Sequence, residues 1–222
     1  MTVPTVEMPA YLLSGGRPRN EESMSKMLSV AFGKTPNPRV AYVGTANGDN
    51  LAFYAMMKAM LCKAGAKKTE LVRIAKEKID VEKAKTTLES ADVVFLAGGE
   101  VEDGMNWLKK HQLDVFLKTL YEQGKQFVGV SAGSIMLGST WVRWDDENDD
   151  STASLFDCLG VVPAIFDTHA EDEDWKEIKT ALRLMGDGAV GYGIPSGGMI
   201  SADSKATLVN IEKELLVFVS EG

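Results

Sequence analysis

Lys125-Gln126-Phe127-Val128-Gly129-Val130-Ser131-Ala132-Gly133 is the stretch that decides the fold. A short apolar run ends in small residues and leads into residues 133–139, which are small or apolar and read as a helix. A run with no polar alternation suits a strand buried on both faces. The small residues two before and two after Ser131 have a steric reason. A sharp strand-to-helix turn strains its central residue, and bulky flanking side chains would collide. The hydroxyl then stands clear of the sheet, facing the free amides at the start of the next helix.

The same strand–turn–helix grammar recurs upstream. Ala10-Tyr11-Leu12-Leu13-Ser14 ends in Gly15-Gly16, and Arg39-Val40-Ala41-Tyr42-Val43 ends in Gly44-Thr45. Ala91-Asp92-Val93-Val94-Phe95-Leu96-Ala97 ends in Gly98-Gly99, and residues 70–75 are a further strand candidate. Residues 20–32, 51–64, 81–90 and 103–121 carry helical periodicity, the last as one long helix. Buried strands alternating with helices predict an α/β fold, a three-layer, doubly wound, mostly parallel sheet. The glycine turns then gather on one rim, where such sheets bind ligands.

The last third reads differently. Trp141 opens a segment rich in tryptophan and acids that runs to Asp150, and residues 156–169 read as irregular and apolar. Residues 172–185 read as a helix, and 189–202 and 206–219 as two or three antiparallel strands, a small antiparallel C-terminal addition. No repeat, low-complexity segment or linker divides residues 1–222, so a single domain is expected.

The chain is 45% hydrophobic, enough for a sizeable core, and its net charge is −8. With no basic stripe, nucleic acid is excluded as a partner. No apolar stretch approaches the ~20 residues of a membrane span, and no signal peptide is read at the N-terminus, so no membrane partner and a cytoplasmic location are expected. A homodimer is compatible with the sequence. Cys62 and Cys158 are expected as buried free thiols, and neither a metal nor another cofactor is expected.

A serine nucleophile needs a base. The two histidines are His111, on the polar side of a helix, and His169, just past an apolar run and the better base. A carboxylate should hold the imidazole. Asp145, Asp146, Glu147, Asp149 and Asp150 all lie between serine and histidine, while Asp167 is close to His169 along the chain. The amide of Ala132, directly after the serine, and that of Gly98 or Gly99 are the expected oxyanion donors.

Three segments carry a family resemblance: Phe95-Leu96-Ala97-Gly98-Gly99, Gly129-Val130-Ser131-Ala132-Gly133, and Phe156-Asp157-Cys158-Leu159-Gly160-Val161-Val162-Pro163 followed by His169. With Gly193-Ile194-Pro195-Ser196-Gly197, they resemble the peptidase E and cyanophycinase family of serine peptidases, whose fold is related to class I glutamine amidotransferases. The resemblance implies a metal-free peptidase acting on small peptides. It points to Asp146 as the acid, with Asp145 and Glu147 adjacent. Two departures bear on substrate. Glu100 stands where aspartyl-specific members carry Asn, and Ala170-Glu171-Asp172-Glu173-Asp174-Trp175 is acidic where they carry basic residues. An anionic substrate side chain is therefore disfavoured and a cationic one favoured.

Two rivals remain at this level. An α/β-hydrolase esterase shares the serine turn, but no second parallel strand pair is read after it. A binding module with a degenerate site would share the scaffold alone.

Overall fold

The computed structural model describes residues 8–16, 21–33, 35–146 and 149–220. Asn20, expected to open the first helix, Glu147, and most of the N-terminal segment read for a signal lie outside them. In chain order the elements are β1 (Ala10–Leu13), α1 (Glu21–Phe32), β2 (Arg39–Val43), α2 (Leu51–Lys63), β3 (Lys68–Val72), α3 (Val81–Ser90), β4 (Val93–Leu96), α4 (Val101–Lys110), α5 (Leu113–Glu122), β5 (Gln126–Val130) and α6 (Ala132–Leu137). Then follow β6 (Thr140–Trp144), β7 (Ala153–Asp157), β8 (Ile165–Thr168), α7 (Lys176–Met185), β9 (Val190–Ile194), β10 (Met199–Ala202), β11 (Leu208–Glu212) and β12 (Leu216–Val219).

The main sheet has the order β11-β10-β1-β5-β4-β2-β3. Its β1, β5, β4, β2 and β3 are parallel, and β10 and β11 extend the β1 edge antiparallel. Because strand side chains alternate, successive residues feed opposite layers. Tyr11, Leu13, Tyr42, Phe95 and Val128 pack with Leu28 and Phe32 of α1 and Leu61 of α2. Leu12, Val43, Val94, Leu96 and Phe127 pack with Leu88 of α3, Met105 of α4, Leu117 of α5 and Leu137 of α6. This is the expected three-layer arrangement. Two helices start where a side chain meets the first free amides. Asn50 accepts from Ala52 and Phe53 at 3.0 Å ahead of α2, and Asp80 accepts from Lys83 at 2.9 Å ahead of α3.

Several local expectations are corrected. Residues 103–121 are not one helix. The chain breaks after His111, with Gln112 in the left-handed region at φ 56°, and restarts as α5. No glycine or proline marks that break, so periodicity alone runs through it. Residues 156–169 are not irregular throughout: β7 pairs antiparallel with β6, and β8 pairs parallel with β9. A second parallel pair therefore does follow Ser131. It belongs to a separate three-stranded sheet, β12-β9-β8, rather than to the main one. The helix read over 172–185 begins at Lys176, after a short 3-10 turn at Glu171–Glu173. Cys62 is exposed and Cys158 partly buried, and both are free thiols. Burial pushes the Cys158 thiol up to about 12, which leaves it unreactive. Among the described residues no helix is long and apolar enough to cross a membrane.

Candidate active site

The fully buried strand β5 delivers Ser131 to the rim of the main sheet. Ser131 has φ 54° and ψ −125°, a strained conformation for a residue with a Cβ. Its surroundings hold it there. The Ser131 amide donates to the Leu13 carbonyl at 2.9 Å, and the Ser131 carbonyl accepts from Ser134 at 2.7 Å and Ile135 at 3.2 Å. The flanking glycines are required by space. A Cβ on Gly129 would lie 2.6 Å from the Gly133 carbonyl oxygen, and one on Gly133 would lie 2.2 Å from that of Leu96. The turn can close only with glycine at these two positions.

His169 arrives from the other sheet. It follows β8, adopts φ 47°, and donates its amide to the Ile194 carbonyl at the end of β9 at 3.0 Å. Its Nε2 lies 2.7 Å from the Ser131 hydroxyl oxygen, 38 positions away in the chain. That is within the range for a base about to take a proton. His111 is elsewhere, stacked on Trp107 with its ring nitrogen 2.8 Å from the Lys76 carbonyl.

Gly98 borders the serine: a Cβ on it would sit 3.1 Å from the Ser131 Cβ and 3.6 Å from its Oγ. Gly99, at φ 146°, presses against Ala46, where a Cβ would lie 2.0 Å from the carbonyl oxygen. The Asn47 amide group donates to the Gly98 carbonyl at 2.8 Å and fixes this turn. Among the described residues neither the Gly98 nor the Gly99 amide donates to a backbone acceptor. Ala132 begins α6, where an amide has no partner in its own helix. Glu100 is exposed and precedes α4.

The carboxylates are distributed unevenly. Asp145 and Asp146 are exposed beyond β6, and the Asp146 backbone is tied to Thr152 at 3.1 Å. Asp149 accepts from Ser151 at 2.9 Å, and Asp150 pairs with Lys176 at 3.0 Å. Glu171 is an acid that faces His169 electrostatically. Burial alone would push its carboxyl up, but bonds from Ser196 and the nearby histidine bring it below its usual value. Behind it, burial pushes Asp167 up to about 6 and Glu177 up to about 7. The Trp141 indole donates to Glu177 at 2.6 Å, and Glu177 in turn faces Asp167, Glu173 and Glu100 electrostatically. In the sequence the acids of residues 171–174 stand as repelling charges only. The bond from Glu171 to Ser196 has no local signature, because its partners lie 25 residues apart. Among the described residues no group of three His, Cys, Asp or Glu side chains could hold a metal ion.

No curated protein matches the chain. Solved structures do. A candidate peptidase E protein from Listeria monocytogenes EGD-e superposes with a TM-score of 0.68 at 17% identity, over 93% of this chain and 99% of that one. A peptidase from an acI-B1 Actinobacterium superposes with a TM-score of 0.63 at 11% identity, over 97% of this chain and 95% of that one. At these identities the likeness is one of fold. The sequence pattern of peptidase family S51 matches residues 10–209, which contain the serine turn, the Gly98-Gly99 turn and His169. The chain belongs to peptidase family S51 and is a serine-type peptidase.

Proposed function

We propose that the chain hydrolyses small peptides in the cytoplasm through an acyl-enzyme on Ser131, with His169 as general base. The observation that carries this is the 2.7 Å contact between the Ser131 hydroxyl and His169 Nε2, made by a serine held at φ 54°. For Nε2 to act as base it must be the unprotonated ring nitrogen, with the proton on Nδ1. Ser131 Oγ attacks the scissile carbonyl as its proton passes to Nε2. The amides of Gly99 and Ala132, with Gly98 beside them, stabilise the oxyanion, and Glu100 borders the substrate. His169 then donates that proton to the leaving amine, and water repeats the sequence to free the acyl group. The family resemblance points to Asp146 as the acid. Its exposed place beyond β6 gives that role less support than the serine and histidine have.

Covalent labelling tests the reading. A fluorophosphonate should label the wild-type chain and leave Ser131→Ala unlabelled, and peptide turnover should fall by about 10³-fold or more in the variant. Equal labelling of the two proteins would mean that another residue is the nucleophile.

A further inference from the structure

We propose that Glu171 is the positioning residue for His169, a fixed negative charge held beside the imidazole by the Ser196 turn. The proposal rests on the assignment of Ser131 and His169 above and supplies what those two lack, a group that favours the imidazolium formed when Ser131 gives up its proton.

Glu171 lies two residues after the histidine, so the two side chains share one short loop. Its carboxylate is clamped. One oxygen accepts from the Ser196 backbone amide at 2.6 Å, and the other from the Ser196 hydroxyl at 3.0 Å. Ser196 stands in the turn between β9 and β10, two residues past Ile194, the residue whose carbonyl holds the His169 amide. The loop is thus fastened to the end of β9 at both His169 and Glu171. A third segment completes the junction. Gly16, past the end of β1 at φ 84°, is wedged between the two: a Cβ there would lie 2.9 Å from the His169 Cβ and 2.6 Å from the Ser196 Oγ. With any larger residue at 16, His169 and the Ser196 turn could not both keep their places. The ends of three strands from two sheets therefore converge on one imidazole and one fixed carboxylate.

Other charges surround this junction, Asp172 and Asp174 of the same exposed loop among them. Lys213, from the β11–β12 turn, donates to the Ser196 carbonyl at 2.5 Å and so steadies the clamp from the far side. Asp167, at the end of β8, is buried and interacts with Glu171 and Glu173 as a like charge. Hydrogen bonds from Ser196 and the attraction to His169 keep Glu171 ionised. A charge already oriented by two donors needs no reorganisation when the imidazolium appears. Because Glu171 is exposed, solvent screens its effect.

The test is the pH profile of kcat/KM for Glu171→Gln. The amide keeps the size of the side chain and an oxygen for the Ser196 amide, but it loses the charge. Turnover should fall about 3- to 10-fold with KM little changed, and the acid limb should move to lower pH by about half a unit. A residue that only clips the loop would leave the limb in place. Ser196→Ala, which loosens the clamp and keeps the charge, should lower turnover less and shift the limb less. If Glu171→Gln fails to fold, the limb of Ser196→Ala decides, since salt would screen Asp172, Glu173 and Asp174 as well. An unmoved limb in Glu171→Gln, or in Ser196→Ala where the first variant cannot be made, overturns the proposal. Those results are distinct from labelling that survives in Ser131→Ala, which would overturn the assignment beneath it.

Discussion

The two halves of the proposed site come from regions built on different principles. Ser131 sits at the end of β5, in a parallel sheet whose β1, β4 and β5 are buried along their whole length. His169 and Glu171 come from the last third, where β8 is buried but β7, β11 and β12 are mostly half-exposed or exposed, and where the strands are divided among three sheets. In the first region backbone meets backbone at van der Waals limits, as at Gly129, Gly133 and Gly99. In the second, position is set by hydrogen bonds between loops, such as His169 to Ile194 and Glu171 to Ser196. The proposed nucleophile is thus fixed by packing, which tolerates almost no change. The proposed base and its surroundings are fixed largely by polar contacts, with one close approach at Gly16.

The sharpest way to break this contrast is to add one methyl group in each region. In Gly133→Ala the new carbon would lie 2.2 Å from the Leu96 carbonyl oxygen, with rigid backbone on the other side. We expect a loss of about 3 kcal/mol or more in unfolding free energy, and loss of fluorophosphonate labelling as the serine turn opens. Gly188→Ala, in the last third, meets nothing within 4 Å and carries only the strain of φ 76°. It should cost about 1 kcal/mol and leave labelling intact. Similar losses in denaturant unfolding of the two variants would show that the regions do not differ in this way.

That contrast also explains which parts of the molecule are legible in the sequence. Runs such as Val93-Val94-Phe95-Leu96 are apolar because both faces are covered, so composition alone announces a buried parallel strand. The glycine turns and Ser131 are legible for the same reason, since steric need restricts the residue type. The last third carries weaker signals. Strand β7, Ala153–Asp157, has only Phe156 buried, and β8 is four residues whose parallel partner begins 25 positions later. A strand that short, paired that far away, has no local pattern distinct from an apolar loop. His169 stands out because the chain holds only two histidines, whereas the partner of Glu171 does not, because hydrogen bonds between loops leave no periodicity. The break at Gln112 escapes the pattern because a left-handed residue need not be glycine.

Substrate choice should lie with the second region. Glu171, Asp172, Glu173 and Asp174 are exposed beside His169, and Glu100 faces Glu177 near the Gly98-Gly99 turn. Residues 170–175 hold no basic side chain, so an anionic substrate side chain would meet like charge there. Dipeptides of the Lys-Xaa or Arg-Xaa type should be turned over at least about 10-fold better in kcat/KM than Asp-Xaa, by an amount that shrinks as salt is added. A preference for Asp-Xaa would place specificity in other residues than these acids.

The smallest effect concerns Glu177, half-buried against Trp141. Glu177 is pushed up to about 7 by burial and by Asp167, Glu173 and Glu100, against the pull of the Trp141 indole. Its folded value therefore lies above its ordinary one, and the native state binds the proton more tightly than the unfolded chain. Stability from this group is full below the unfolded value and is lost as pH rises through about 7. Glu177→Gln keeps an oxygen for Trp141 and removes the titration, so the variant should gain on the wild type as pH rises from 5 to 8, by roughly 1–3 kcal/mol. Asp167, pushed up to about 6, titrates in the same sense in both proteins and largely cancels in the difference. Denaturant unfolding of the two at pH 5 and pH 8 reads the effect directly. Curves that stay parallel would mean that the last third meets the Glu177 charge by local rearrangement, as expected of a region held largely by adjustable polar contacts, in contrast to the packed turn at Ser131.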